Sequence, residues 1–293
     1  GTLTMGANDG RMDIENSITI LGNDIGLQNV KGSKFYMYDG YIEGISGLVG
    51  GYTGKATGYH VFVDHRNDTN NQRVYLLSNP NRAVARTETL GEMYYYNMND
   101  AITTAEMNKR KDAELTDADF IVYATRDFEA AYDLSIDADS RIYLDLKGFV
   151  VDTGEKVINN GYLKIYSDAD TKATLKPSIS IDNKGTLDIE DTLVKVTTDT
   201  NTINNSGNLN LKNTTVEGTT KYGIQNVKGA GLTIDKDTVI KSNSNYGLYN
   251  ASNIKLDAGL IQGLVNDGTV ELDKDIEITG KELSDGTEYH NVV

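Results

Sequence analysis

The C-terminal half of the chain repeats one hydrophobic–polar phrase: an aliphatic residue, a turn built around Asn and Gly, then two aliphatics separated by one polar residue. Its copies are Ile158-Asn-Asn-Gly-Tyr-Leu-Lys-Ile165, Ile181-Asp-Asn-Lys-Gly-Thr-Leu-Asp-Ile189, Ile203-Asn-Asn-Ser-Gly-Asn-Leu-Asn-Leu211, Ile224 to Ile234, Leu248 to Leu256 and Leu264 to Leu272. The leading aliphatics recur at roughly 20 residues, and short strands at that period predict a solenoid. Alternation such as Leu187-Asp188-Ile189 and Val270-Glu271-Leu272 sends the aliphatics to one face. Wound coil on coil, equivalent strands lie parallel, about 4.8 Å apart, and the recurrent Asn stacks as a turn ladder. Its members are Asn160 (with Asn159 as the alternative), Asn183, Asn205, Asn226, Asn250 and Asn266. The expected role is structural, because Asn tolerates the left-handed backbone and its amide both donates and accepts.

The first fifty residues echo the same object. Gly10 to Ile18 matches Gly185 to Leu193, Gly26-Leu-Gln-Asn-Val-Lys-Gly32 matches Gly223-Ile-Gln-Asn-Val-Lys-Gly229, and Gly40-Tyr-Ile-Glu-Gly44 matches Gly259-Leu-Ile-Gln-Gly263. Even Gly58-Tyr-His-Val-Phe-Val63 resembles Glu288-Tyr-His-Asn-Val-Val293. Ordered duplication predicts two tandem modules: residues 1–60 as the last coils of one, 61–92 as a hairpin and linker, and 93–293 as a complete second module. Val61-Phe-Val63 and Arg73 to Leu77 read as the hairpin, and residues 99–115 as a helix, with Asn97 or Asn99 at its N-cap, covering the first coil of the second module. The opening Gly1-Thr-Leu-Thr-Met5 reads as mid-repeat. The sequence is therefore expected to be a segment of a larger polypeptide whose export signal and anchor lie elsewhere.

Composition agrees with many short strands joined by tight turns: Gly is abundant at 29 residues and Pro nearly absent at 2. The net charge of −15 argues against nucleic acid and anionic lipid as partners. With no Cys there is no disulfide framework, thiolate metal site or thiol nucleophile. No apolar run approaches the roughly 20 residues of a membrane span, so no membrane insertion is expected of this segment.

Ile142-Tyr-Leu-Asp-Leu-Lys-Gly-Phe-Val-Val151, followed by Ile158 to Ile165 and preceded by the helical phrase Asp100-Ala-Ile102, resembles right-handed parallel β-helix modules of the pectate-lyase-like class in large bacterial surface proteins. The resemblance covers roughly residues 93 to 280 and, less completely, 1 to 50. One departure is Lys147, where the family commonly has Asn. The resemblance implies an all-β, right-handed parallel β-helix and an extracellular or bacterial cell-surface location. Some members cleave acidic polysaccharides with Ca²⁺ held by Asp clusters and an Arg or Lys base.

The residues do not spell that chemistry. Asp137/Asp139, Asp168/Asp170, Glu190/Asp191 and Asp235/Asp237 are short of the oxygen ligands of one good Ca²⁺ loop. No cofactor is expected, weak Ca²⁺ binding being the one cation chemistry these acids support. Arg66, Arg73, Arg82, Arg86, Arg110, Arg126 and Arg141 read as lying outside the regular coils, and Lys164, Lys195, Lys212, Lys228 and Lys255 as outward, solubilising alternates. His60, His65 and His290 read as packing residues. For ligand contact the candidates are Tyr94, Tyr95 and Tyr96, with Tyr36, Tyr38 and Tyr41 as a second cluster, since tyrosine offers area and a polar tip.

The expected function is that of a non-catalytic stalk, spacer or adhesive surface, monomeric, with neighbouring modules of its own chain and a glycan or protein as partners. Two rivals share the fold: a carbohydrate-binding or polysaccharide-cleaving β-helix protein, and a phage tail-spike or fibre.

Overall fold

The computed structural model describes residues 1–6, 18–30, 32–65, 71–88, 91–108, 120–243 and 246–279. The fold is all-β with one short helix, a right-handed parallel β-helix; its parallel coils are those the alternation predicts, and its hand is the one the resemblance implies. The chain divides into two compact units, 1–126 and 127–293, so the divisions expected at 60 and 92 both fall inside the first.

The first unit begins as parallel coils. Thr2–Met5 pairs with Lys34–Met37 and that strand with Gly54–Lys55, while Thr19–Leu21 pairs with Tyr41–Gly44 and Ile25–Gln28 with Ser46–Val49. Parallel winding then gives way. Gln72–Leu77 lies antiparallel to both Tyr41–Gly44 and His60–His65, forming the expected hairpin, with Val61, Val63, Val74 and Leu76 all buried on its inner face. Met93–Tyr95 runs parallel to His60–His65, and Ala85–Thr87 sits antiparallel between Met93–Tyr95 and Ile121–Ala124.

The helix spans Met98–Asn108, and residues 109–115 of the expected helix lie outside the described residues. Asn97 caps it, its side-chain oxygen accepting the Asn99 amide at 2.8 Å. Ala101, Ile102 and Ala105 are buried at helical spacing, and the helix packs on strands of its own unit, including Ser46–Val49, Ala85–Thr87 and Ile121–Ala124. The cap expected for the second module is thus part of the first compact unit.

The second unit is a regular three-faced parallel solenoid. Its first face stacks 134–136, 157–159, Ile181–Asn183, Ile203–Asn205, Ile224–Asn226, Leu248–Asn250 and Leu264–Asn266. The second stacks Arg141–Asp145, Tyr162–Tyr166, Thr186–Glu190, Asn208–Lys212 and Gly231–Ile234. The third stacks 150–152, Ala173–Lys176, Thr192–Lys195, Thr215–Gly218, Val239–Ser242 and 260–262. Aliphatics stack on aliphatics inside: Ile181, Ile203, Ile224 and Leu248 on one face, Leu163, Leu187, Leu209 and Leu232 on another.

The register corrects the first copy of the phrase by one residue. Val157, not Ile158, aligns with Ile181, so Asn159 points inward and Asn160 does not. The ladder asparagines are strand residues, buried from Asn159 to Asn250 and half-buried at Asn266, and not left-handed turn residues; among the described non-glycine residues positive φ falls at Lys147 (50°), Asp191 (50°) and Asn213 (44°). These three mark the corner between the second and third faces. Lys147, which departs from the resemblance, takes the same conformation as Asn213.

The echoed segments share backbone conformation at two matched glycines: Gly32 and Gly229 have φ of 80° and 86°, and Gly40 and Gly259 have 83° and 111°. The echoes Gly10 to Gly185 and His60 to His290 involve positions outside the described residues.

Candidate functional site

The outer face of the first unit's sheet collects Tyr41, Tyr94, Tyr96, Arg73 and Arg86 of the aromatic and arginine side chains singled out above. Strand register brings Tyr41, Tyr75, Phe62, Tyr94, Arg86 and Tyr123 into one row, each opposite the next on a neighbouring strand. Alternation splits the Tyr94-Tyr95-Tyr96 triplet. Tyr95 is fully buried beside Met93 on the inner side, its hydroxyl 3.2 Å from that of Thr87, so its ring is a core element and not a contact surface. Burial pushes the Tyr95 phenol up to about 12.

Tyr94 and Tyr96 stand on the outer side, their ring centroids 5.6 and 5.1 Å from that of Phe62; Tyr75 approaches the same ring at 6.2 Å. Together the three tyrosines cover Phe62, which has no exposed surface. The cluster is therefore a small second core whose ring faces are largely spent on one another. Its margins carry paired charge. Arg73 binds Glu43 at 3.0 Å and lies 4.1 Å over the Tyr41 ring. Arg86 holds Glu88 at 2.8 Å and Glu92 at 3.0 Å and covers Tyr123. Burial, then the Glu92 carboxylate, push Tyr94 up to about 12. In the second tyrosine cluster, Tyr36 and Tyr38 stack at 6.2 Å.

In the second unit, the inward ladder is continuous. The side-chain N–H of each Asn donates to the carbonyl of the next: Asn159 to Asn183 at 2.8 Å, Asn183 to Asn205 and Asn205 to Asn226 at 2.7 Å, Asn226 to Asn250 at 2.9 Å and Asn250 to Asn266 at 2.8 Å. The second N–H of Asn159, Asn183 and Asn205 donates to a backbone carbonyl at 2.8–3.0 Å. Asn160 is half-buried and reaches only Ile136 O at 3.4 Å. The predicted turn ladder thus begins at Asn159.

Acids singled out for cation binding are engaged locally. Glu190 pairs with Lys164 at 2.8 Å, Asp191 accepts from Asn213 at 2.6 Å, and Asp235 accepts from Thr238 at 2.7 Å. Among the described residues no three His, Cys, Asp or Glu side chains converge as a metal site. Arg141, expected outside the coils, stands on the first strand of the second face, over Tyr143 and Tyr162 at 5.2 and 5.1 Å. Arg66, Arg110 and His290 lie outside the described residues, as does the His65 side chain.

Two further clusters were not read from the sequence. Asp145 is fully buried beside Lys147; burial raises its pKa against the pull of the Lys147 ammonium at 2.9 Å, whereas hydrogen bonding to the same ammonium at 2.5 Å holds the exposed Asp168 low. On the outer side of the first face, Asp182 accepts hydrogen bonds from Asn204, Lys156 and Ser180, each at 2.8 Å. Burial pushes its carboxyl up, but these three donors and the lysine charge outweigh that and hold it below the usual carboxylate range. A depressed folded pKa gives stability that is present above the unfolded value of about 3.9 and lost as pH falls through the folded value. Acid unfolding of the wild type below about pH 4 should therefore be less steep in Asp182→Asn, followed by circular dichroism across pH 2 to 6.

No family model matches this chain, and no curated protein or solved structure is significantly similar to it.

Proposed function

We propose that this chain is a non-catalytic structural and adhesive segment, a stalk or spacer with a contact face, of a large repeat protein secreted by or displayed on a bacterium. The observation that carries this reading is that the repeated phrase is consumed by coil-to-coil contact. Its aliphatics stack, its asparagines bond to one another, and its glycines admit the neighbouring backbone. Stacked repeats of this kind add length in proportion to their number. The shared positive φ of Gly32 and Gly229 and of Gly40 and Gly259 supports a tandem arrangement of modules, whereas Gly263, at φ of 77°, differs from its counterpart Gly44. The tyrosine-covered outer face of the first unit, edged by Arg73–Glu43 and Arg86–Glu92 pairs, is the surface suited to protein or glycan contact, through Tyr94 and Tyr96 in place of Tyr95.

The test combines a panel of polysaccharides, with and without Ca²⁺, and a sedimentation run. The reading expects no new reducing ends or unsaturated products from any polysaccharide, and a monomer. Depolymerisation of one substrate would overturn it in favour of an enzyme. A trimer would favour the tail-spike reading.

A further inference from the structure

The third face of the second unit carries a charged row that is not neutralised. Register sets Asp152, Lys176, Lys195, Glu217 and Lys241 opposite one another on successive strands. Lys176 pairs with Asp152 at 3.0 Å and Lys241 with Glu217 at 2.7 Å. Lys195, between the two pairs, is left over. Other strand lysines of this unit find an acid, as Lys164 does with Glu190 at 2.8 Å and Lys255 with Asp257 at 2.9 Å. Among the described side chains on these strands, Lys195 is the one lysine in no ion pair.

A cleft of about 160 Å³ is lined by Lys195, Val196, Glu217, Gly218, Thr219, Lys241 and Asn243. It exceeds about tenfold the 10–15 Å³ that one water needs. Two ammonium groups and one carboxylate leave a single positive charge at the cleft, on a chain whose net charge is −15. Neutral Thr219 and Asn243 add no countercharge.

We propose that this cleft seats one singly charged oxyanion, a carboxylate or a sulfate monoester, with Lys195 as its principal charge partner. This goes beyond the structural reading above and does not depend on it. The ammonium supplies a charge-assisted hydrogen bond. Glu217, held by Lys241, selects against a second negative charge by repulsion.

The test is a ¹⁵N-amide NMR titration at constant ionic strength with acetate, methyl sulfate and, at pH 8, inorganic phosphate as a dianion. The two monoanions separate a carboxylate source from a sulfate-ester source. Saturable shifts at Gly218, Thr219 and Asn243 are expected with at least one monoanion. Lys195→Ala should weaken that binding about tenfold or more, the loss expected for one charge-assisted hydrogen bond. Lys255→Ala, whose lysine is paired elsewhere, should leave it unchanged. Shifts that are absent, that never saturate or that persist in Lys195→Ala would overturn the site, and tighter binding of phosphate would overturn its selectivity for a single charge.

Discussion

Asn205→Ala lowers the free energy of unfolding by about 3–4 kcal/mol. Asn205 has no exposed surface and takes part in three hydrogen bonds: it donates to Asn226 and to Gly231 O, and it accepts from Asn183. Alanine removes all three and leaves the buried Asn183 amide N–H, the buried Asn226 side-chain oxygen and Gly231 O without these partners. Asn205→Asp costs more at neutral pH, because the new carboxylate faces the Asn226 side-chain oxygen and the Gly231 carbonyl, both acceptors. Urea denaturation followed by circular dichroism measures both. A loss below about 1 kcal/mol for Asn205→Ala would mean that the ladder is decorative.

Gly207→Ala costs more than about 3 kcal/mol, for a different reason. A Cβ at Gly207 would lie 2.0 Å from Gly185 O, and one at Gly185 would lie 1.9 Å from Gly161 O. These are backbone atoms of the preceding coil and cannot step aside without breaking the Asn208 N–H to Gly185 O bond of 2.8 Å. Gly229→Ala is the contrast. Its φ of 86° strains an L-residue, but nothing lies within 4 Å of the added carbon, so the cost is about 1 kcal/mol. The same denaturation curves compare the two, and equal effects would contradict the close-approach role.

The contrast explains why the repeated phrase was legible as architecture and misread in detail. Period-two alternation and the recurring Asn identify parallel coils, and the Val61/Val63 and Val74/Leu76 alternation identifies the hairpin, because each is set by local pattern. The roles of Asn and Gly are set by the coil next door. Asn205 lies on an extended strand and bonds across coils, and Gly207 is needed for space, so reading either as a turn residue with positive φ follows local propensity where tertiary contact decides. Register fails at Val157-Ile158-Asn159-Asn160 because two aliphatics followed by two asparagines fit equally well when shifted by one. Only the partner strand Ile181–Asn183 breaks the tie.

Some of what went unread was present in the sequence. Asp191-Thr192, Asn213-Thr214 and Asp237-Thr238 recur at the repeat period, and Thr192, Thr214 and Thr238 are all fully buried at the corner between the second and third faces. Thr192 and Thr214 donate to the backbone carbonyls of Glu190 and Ile189, and Thr238 to the Asp235 carboxylate. This second polar stack, unlike the asparagine ladder, bonds to nearby backbone and carboxylate oxygens and not from one stacked side chain to the next. Alternation along Met93 to Tyr96 would likewise have separated Tyr95 from its neighbours. The unpaired state of Lys195 was not legible, since it depends on which residues of adjacent coils fall opposite it and where their own partners lie.

The central claim is that the repeat is a register-locked stack whose amides bond from coil to coil. Paired urea denaturation of Asn159→Ala and Asn160→Ala tests it most directly, because the two substitutions are chemically identical and adjacent. Asn159 donates to Asn183 at 2.8 Å and to Thr186 O at 2.9 Å, whereas Asn160 makes one contact at 3.4 Å. The stack predicts a loss of about 2–3 kcal/mol for Asn159→Ala and less than about 0.5 kcal/mol for Asn160→Ala. Equal losses, or a larger one at Asn160, would contradict it.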